Sequence, residues 1–330
     1  MLTASVIGCG HGGGLSLDAL SNSSDYALIA AADPSVDARG RVADRFPDAR
    51  LFADYRDMLT ECRTDVVCVA TPAPSHAAIA REVLHCKPKG LLLEKPLACD
   101  VLSAEALLRE VRDAACPVVV PHGMLVLPAA QEIKVRMRRG DIGEISSVEV
   151  QNAVDLLNAG IHWLAYLCDV FDNEKPRIVN AEFDVSGHVV NDGVQVESRG
   201  VTRIEFDAGV CIELNSGNKT EPTSDVLPRE EQRGALFRVT GSEGAIEFSA
   251  WAGSYWIQAG KSDGEFIKQP LPAGLSYHQV FLEQLAQNIA TGKPDLRSAE
   301  LSLAALRLIE SAYQQHGNSE WALGVPAQRL

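Results

Sequence analysis

The sequence is short of positive charge. Thirty lysines and arginines stand against 44 aspartates and glutamates in 330 residues, a formal net charge of −14. That balance argues against nucleic-acid phosphates or anionic lipid as the main ligand and leaves neutral or polar small molecules open. Paired cysteines are missing too. Cys9, Cys62, Cys68, Cys86, Cys99, Cys116, Cys168 and Cys211 are scattered, with no CxxC pair and no Cys/His cluster at metal-ligand spacing. Buried free thiols in a reducing compartment are expected, and no metal site. No apolar run approaches the length of a membrane span. The opening MLTASVIGCG passes straight into a strand pattern, which leaves no room for a charged leader and apolar signal segment, so the expected location is cytoplasmic. Internal repeats and low-complexity tracts are lacking as well. What is there is the composition of a soluble globular protein, 46% hydrophobic and 22% charged, in a chain long enough to expect two domains.

Residues 1–122 alternate apolar strands (TASVIG, ALIAAADP, DVVCVATP, KGLLLEKP, PVVVPHG) with amphipathic helices. Apolar strands without polar alternation, separated by helices, indicate a doubly wound parallel sheet covered on both faces. Residues 123–330 follow another grammar. AAQEIKVRMRRGDIG reads as a helix ending at Gly140, and DLLNAGIHWLAYLCDVF has helical periodicity. Short alternating strands follow, separated by Gly, Asn, Asp and Ser, as in an antiparallel sheet with one exposed face. Two helices close the chain, each stopped near a glycine. Residues 218–234, polar and proline-containing, read as a mobile loop, and KVRMRRGD as a solvated helix face whose cations suit a helix C-terminus.

Gly8, Gly10 and Gly13 in GCGHGG satisfy GxGxxG. The fingerprint follows a strand and opens a helix, and a second strand ends at Asp33, the arrangement that binds dinucleotides. Gly8 permits the tight turn, Gly10 lets the pyrophosphate approach the backbone, and Gly13 lets the helix pack closely. The helix N-terminus, with His11 in the turn, offers free N–H groups and a partial positive charge. Asp33 suits the adenosine ribose hydroxyls and repels a 2′-phosphate, and Pro34 and Ser35 rather than arginine follow it, so NAD is favoured over NADP. Thr71, Pro72 and His76 lie in the loop after the third strand, at the carboxyl edge where open α/β folds bind ligands. There Pro72 and His76 are open to a plainer reading, as a turn former and a helix start.

Taken together, GCGHGG, AAADP, VATPAPSH, LLEKPLACD, RRGDIGEI and LLNAGIHWL resemble, in order and spacing, the glucose–fructose oxidoreductase / inositol dehydrogenase / rhizopine-catabolism family, Gfo/Idh/MocA. The resemblance covers nearly the whole chain and is most specific at Glu94-Lys95-Pro96. It implies a Rossmann domain followed by an α/β domain with a large, mostly antiparallel open sheet, through which a homodimer or homotetramer would form. It also implies bound NAD(P), hydride transfer from a sugar or cyclitol carbinol, Lys95 near the nicotinamide, and His162 as the helix-borne histidine.

Oxidising a secondary alcohol needs a base for the hydroxyl proton and a hydride acceptor opposite the C–H bond. Lys95 can release a proton or stabilise developing alkoxide, and a histidine carries the proton both ways. Glu94 is expected to orient Lys95 or to contact the cofactor ribose. Where many relatives carry aspartate four residues before the histidine, this chain has Asn158, which on an α-helix shares a face with His162 and serves as an orienting group. Asp155 either supplies the missing charge or caps the helix. The segment before this helix is short and GMLVLPAAQ lacks an arginine common there, both signs of a more open pocket. Of the other histidines, His122 is a candidate pocket residue and His278 either a helix cap or a pocket residue, while His85, His188 and His316 read as surface or packing residues. Two competing functions remain: an NAD-dependent glycosidase or lyase with no net redox change, and a non-enzymatic NAD- or sugar-binding sensor.

Overall fold

The structure, a computed structural model, describes residues 1–172, 174–186, 189–191, 193–207, 209–217, 223–232 and 234–317. Two compact units emerge: Met1–Pro121 with Ala273–Leu303, and His122–Pro272 with the residues from Ala304 onward.

In the first unit β1 (Leu2–Ile7), α1 (His11–Ser21), β2 (Tyr26–Ala32), α2 (Val36–Arg45), β3 (Arg50–Phe52), α3 (Tyr55–Glu61), β4 (Val66–Val69), α4 (His76–His85), β5 (Gly90–Leu93), α5 (Val101–Asp113) and β6 (Val118–Val119) alternate along the chain. The sheet order is β3-β2-β1-β4-β5-β6, and every pairing is parallel. Val66, Cys68, Val69, Leu91, Leu92 and Leu93 are fully buried, as strands covered on both faces must be. This is the expected doubly wound sheet. β3 and α3 add to the expected pattern, because strands of three residues carry no usable period.

The second unit holds α6 (Pro128–Arg139), β7 (Ile145–Asn152), α7 (Ile161–Val170), β8 (Arg177–Asp184), β9 (Val189–Asn191), β10 (Val194–Val196), β11 (Arg199–Glu205), β12 (Cys211–Ser216), β13 (Ala235–Gly241), β14 (Gly244–Ser249), β15 (Ser254–Ala259) and β16 (Glu265–Lys268). Its eight-stranded sheet runs β16-β15-β14-β13-β7-β12-β11-β8 and is antiparallel except where β12 pairs with β7. Strands β11 and β12 of this sheet alternate buried with partly exposed residues, so one face there carries the core. Trp163 of α7 stacks on Phe237 of β13 at 5.5 Å, and the Tyr166 hydroxyl donates to the Ala130 carbonyl at 2.7 Å. Both aromatics are core.

Helix α8 (Tyr277–Thr291) belongs to the first unit, although chain order alone puts it in the second domain. The Tyr26 hydroxyl donates to the Leu282 carbonyl at 2.6 Å, and a Cβ on Gly90 would lie 2.9 Å from Leu285 and Ile289 methyls. Helix α9 (Arg297–Gln315) is divided: its residues to Leu303 cluster with the first unit and the rest with the second. Chain order cannot reveal a helix that returns to an earlier sheet.

Three further expectations change. Lys134 pairs with Asp169, and Arg138 donates to the Asp169 and Val170 carbonyls at 2.6 and 3.1 Å, so this part of the basic run holds the end of α7 rather than facing water alone. Residues 218–222 and Arg233 of the predicted loop lie outside the described residues, as does His188. Residues 223–232 are pinned: Gln232 donates to the Ser224 and Leu227 carbonyls at 2.8 and 2.7 Å, and Leu227 is buried. Finally, six of the eight free cysteines are buried, but Cys86 is half-buried and Cys211 exposed. Burial pushes the thiols of Cys68 and Cys116 up to about 12 and about 11.

Candidate active site

Four neighbouring strands of the first unit end at one edge, and their loops carry the predicted cofactor residues. Gly8 follows β1, Asp33 follows β2, Thr71 follows β4 and Glu94 follows β5, with β2, β1, β4 and β5 adjacent in the sheet. The ladder continues into the loops through Gly8 N–H to the Ala32 carbonyl at 2.8 Å and Glu94 N–H to the Val69 carbonyl at 2.9 Å.

The glycine turn has the steric character the fingerprint requires. Gly8 sits at φ +85°, where a Cβ would lie 2.5 Å from the Ala70 carbonyl oxygen. A Cβ on Gly13 would lie 1.9 Å from the Gly8 carbonyl oxygen, whereas one on Gly10 meets nothing within 4 Å. Gly10 is the N-cap of α1 and supplies no side-chain cap, there is no acid in the first turn, and His11 is exposed there. No side chain caps the leading N–H groups of α1 and no acid stands in its first turn, which fits a dinucleotide pyrophosphate.

Asp33 braces this turn. Its Oδ2 accepts the Cys9 N–H at 2.7 Å and its Oδ1 the Ser35 N–H at 2.8 Å. Burial, and then the Asp33 charge, push the Cys9 thiol up to about 12. A residue that sequence reasoning misses stands beside it: the Arg39 guanidinium reaches back to the Asp33 and Pro34 carbonyls at 2.7 and 3.1 Å. A cation thus sits by the loop although no arginine follows Asp33 directly. Its only sequence signal is a place on the second turn of a helix starting at Val36.

Pro72 is exposed and Thr71 half-buried, and the Thr71 hydroxyl lies 2.7 Å from that of Ser75. His76, expected at the cofactor, is fully buried. Its Nδ1 lies 2.7 Å from the Pro96 carbonyl and its Nε2 2.6 Å from the Thr71 carbonyl. Both nitrogens are thus occupied by backbone, and His76 ties the loop after β4 to the Lys95–Pro96 segment instead of presenting a polar atom to a ligand. That segment contains a cis Lys95–Pro96 peptide.

Glu94 is buried beneath the glycine turn, where a Cβ on Gly12 would lie 3.4 Å from its Cγ. Its Oε2 accepts the Lys95 N–H at 3.3 Å, and its Oε1 lies 2.5 Å from His278 Nε2. His278 is not the cap of α8, because the Ser276 hydroxyl accepts the Gln279 N–H in that role. Instead it crosses from α8 to hold the carboxylate next to Lys95. Lys95 itself is half-buried.

In the second unit His162 is 7% exposed on α7, edge-on to His122 with ring centroids 5.3 Å apart. The turn before α7 departs from expectation. Leu156–Gly160 is a π-helical turn, with the Asp155 carbonyl accepting the Ala159 and Gly160 N–H groups at 3.2 and 3.1 Å. The widened turn breaks the uniform α spacing on which a shared face of Asn158 and His162 depends. Asp155 is its N-cap. The carboxylate accepts the Asn158 N–H at 2.7 Å, the Asn158 amide at 2.9 and 3.1 Å, and the Asn191 amide at 2.8 Å. Its lone pairs are committed to orienting Asn158, so the capping alternative holds and Asp155 is not a free base. A cavity of about 660 Å³ also opens in this unit beside Met137, Arg138, Phe171 and Val210, and no predicted site residue lines it.

Known proteins share this architecture. The D-apiose dehydrogenase of Paraburkholderia graminis is 22% identical over 337 aligned positions, covering 93% of this chain and 86% of that protein. An oxidoreductase from Agrobacterium radiobacter, solved with NAD+, L-tartaric acid and magnesium, superimposes with a TM-score of 0.77 at 19% identity, covering 96% of each chain. A 3-ketoreductase from Actinomadura kijaniata, solved with NADP, gives a TM-score of 0.78 at 21% identity, covering 95% of this chain and 97% of that one. Both structures share the fold. Residues 2–122 match the model of the Gfo/Idh/MocA oxidoreductase family, the part with the NAD-binding Rossmann fold.

Proposed function

We propose that this oxidoreductase transfers a hydride between a secondary hydroxyl of a carbohydrate or cyclitol and a nicotinamide cofactor, with NAD preferred. The observation that carries the reading is the contiguity of the Glu94–Lys95 loop with the uncapped glycine turn on one sheet edge. The likeness to a D-apiose dehydrogenase supports the substrate class.

A bound nicotinamide dinucleotide supplies the hydride acceptor. The first-turn N–H groups of α1 hold its pyrophosphate, with Gly8, Gly10 and Gly13 shaping the turn around it and His11 at its rim. Asp33 would take the ribose hydroxyls, and Thr71 and Pro72 would help hold the cofactor at the same edge. Glu94, held by His278, orients Lys95. Lys95 activates the substrate hydroxyl, His162 carries its proton, and Asn158, fixed by Asp155, orients the substrate. The elimination and sensor readings find no supporting observation.

Anaerobic mixing with NAD and a panel of pentoses, hexoses and inositols, D-apiose included, is expected to raise the NADH absorbance with at least one member. Silence across the panel overturns the substrate class. For the cofactor, Asp33→Ser is expected to weaken NAD about 10- to 100-fold, the worth of a hydrogen bond to a charged group. It should strengthen NADP, because the repulsion of the 2′-phosphate is removed while Arg39 remains. Titration calorimetry with both cofactors measures this; a wild-type preference for NADP would refute the role of Asp33.

The assembly proposed is a homodimer or homotetramer through the eight-stranded sheet. Sedimentation is expected to show a species of two or four chains rather than a monomer. No helix among the described residues is long and apolar enough to cross a membrane, and the free cysteines suit the reducing cytoplasm proposed as its location.

A further inference from the structure

One buried carboxyl in the second unit has no part in the proposed chemistry. Glu197, 1% exposed, lies in the short link between β10 and β11. Its Oε1 accepts the Leu156 N–H at 2.6 Å and the Ser216 hydroxyl at 2.5 Å, and its Oε2 accepts the Tyr313 hydroxyl. These donors come from the π turn, the end of β12 and helix α9. No cation is among them. Asp155 and Tyr313 are the titratable groups that act on it.

Burying a carboxyl without a cation is costly, and an apolar side chain of similar size would avoid that cost. Burial first, and the Asp155 charge in the same direction, push the Glu197 carboxyl above its ordinary range, against the three hydrogen bonds. What an apolar residue cannot supply is an acceptor for the Leu156 N–H. That group is one of the first N–H groups of the π turn, and the next but one, on Asn158, is taken by Asp155. Two carboxyl groups therefore hold the start of the turn from two sides. The turn carries Asn158 and runs directly into the helix of His162.

We propose that Glu197 is a positioning residue of the substrate site: by holding the Leu156 N–H and tying the π turn to β12 and α9, it sets the geometry of Asn158 and His162. This rests on the reading that Asn158 and His162 serve the substrate. Glutamine retains an acceptor for Leu156 and a donor for Tyr313, while leucine retains only the volume.

The test compares Glu197→Gln and Glu197→Leu in the full chain by hydrogen–deuterium exchange and by steady-state kinetics with whichever sugar or cyclitol the wild type oxidises. Glu197→Leu is expected to speed exchange within 156–162 about tenfold or more while the first unit exchanges as before, since an orphaned N–H loosens its own turn. Its kcat should fall about tenfold or more, with KM for NAD unchanged, and Glu197→Gln should restore both to within about threefold. Wild-type exchange over 156–162 in Glu197→Leu overturns the proposal. So does acceleration spread evenly through the second unit, or a local change that leaves kcat untouched. If the wild type oxidises nothing in the panel, the functional reading falls separately; the exchange result alone then supports or overturns the hold of Glu197 on the turn.

Discussion

Gly13→Ala is expected to abolish cofactor binding. The added methyl would lie 1.9 Å from the Gly8 carbonyl oxygen, far inside any tolerated contact, and that oxygen is backbone. No rotamer relieves the overlap, so the turn and the start of α1 must separate. Gly8 is itself at φ +85° with Ala70 close by, and a turn fixed on both sides cannot move without disturbing β1 and β4. On the proposal that backbone N–H groups of this turn bind the pyrophosphate, affinity for NAD should fall at least about 100-fold, roughly 2.7 kcal/mol. Gly10→Ala is the informative contrast, because its Cβ meets no protein atom within 4 Å. That variant should fold as the wild type and lose NAD only through contact with the ligand. Calorimetry and thermal melts with and without NAD separate the two; full NAD affinity in Gly13→Ala would discredit the assignment of this turn.

The second large effect is on turnover. Lys95→Ala is expected to lower kcat by about 10²- to 10⁴-fold, the range for losing a general acid or base, with affinity for NAD changed little. Lys95 is half-buried at the end of β5, and its backbone N–H is the group held by Glu94, so truncating the side chain leaves the loop anchored. Lys95→Arg distinguishes two roles. Arginine keeps the charge but does not release a proton in proteins, so partial activity indicates electrostatic stabilisation and none indicates proton transfer. His162→Ala should cost a similar factor and remove the neutral-pH inflection expected of an imidazole that shuttles protons. Stopped-flow mixing at the NADH absorbance reads the chemical step directly. Undiminished rates in both alanine variants would end the proposed mechanism.

Much of the proposed cofactor site is legible in the amino-acid sequence. Gly8, Gly10, Gly13 and Asp33 lie close along the chain, and their requirements are local: a positive φ, a close approach, a strand end. The strand pattern of Val66–Val69 and Gly90–Leu93 announces a parallel sheet because complete burial leaves no polar alternation. Lys95 stands out because a buried strand closes on charge. The same local logic misleads at His76, where proximity to the cofactor edge does not reveal that both ring nitrogens meet backbone carbonyls. It also misleads at Asn158, because α and π turns share a sequence pattern and differ only in which N–H a carbonyl receives.

Period and spacing are properties of neighbouring residues, and they suffice for the parallel sheet of the first unit, its glycine turn and the choice of Lys95 and His162 as the residues to test, but not for the return of α8 to that unit. The distant partners of two buried carboxyls come from tertiary packing alone. Glu94 meets His278 across 184 residues, and Glu197 meets Tyr313 across 116. A buried carboxyl must find its hydrogen bonds wherever packing delivers a donor, and that depends on which helix returns to which sheet.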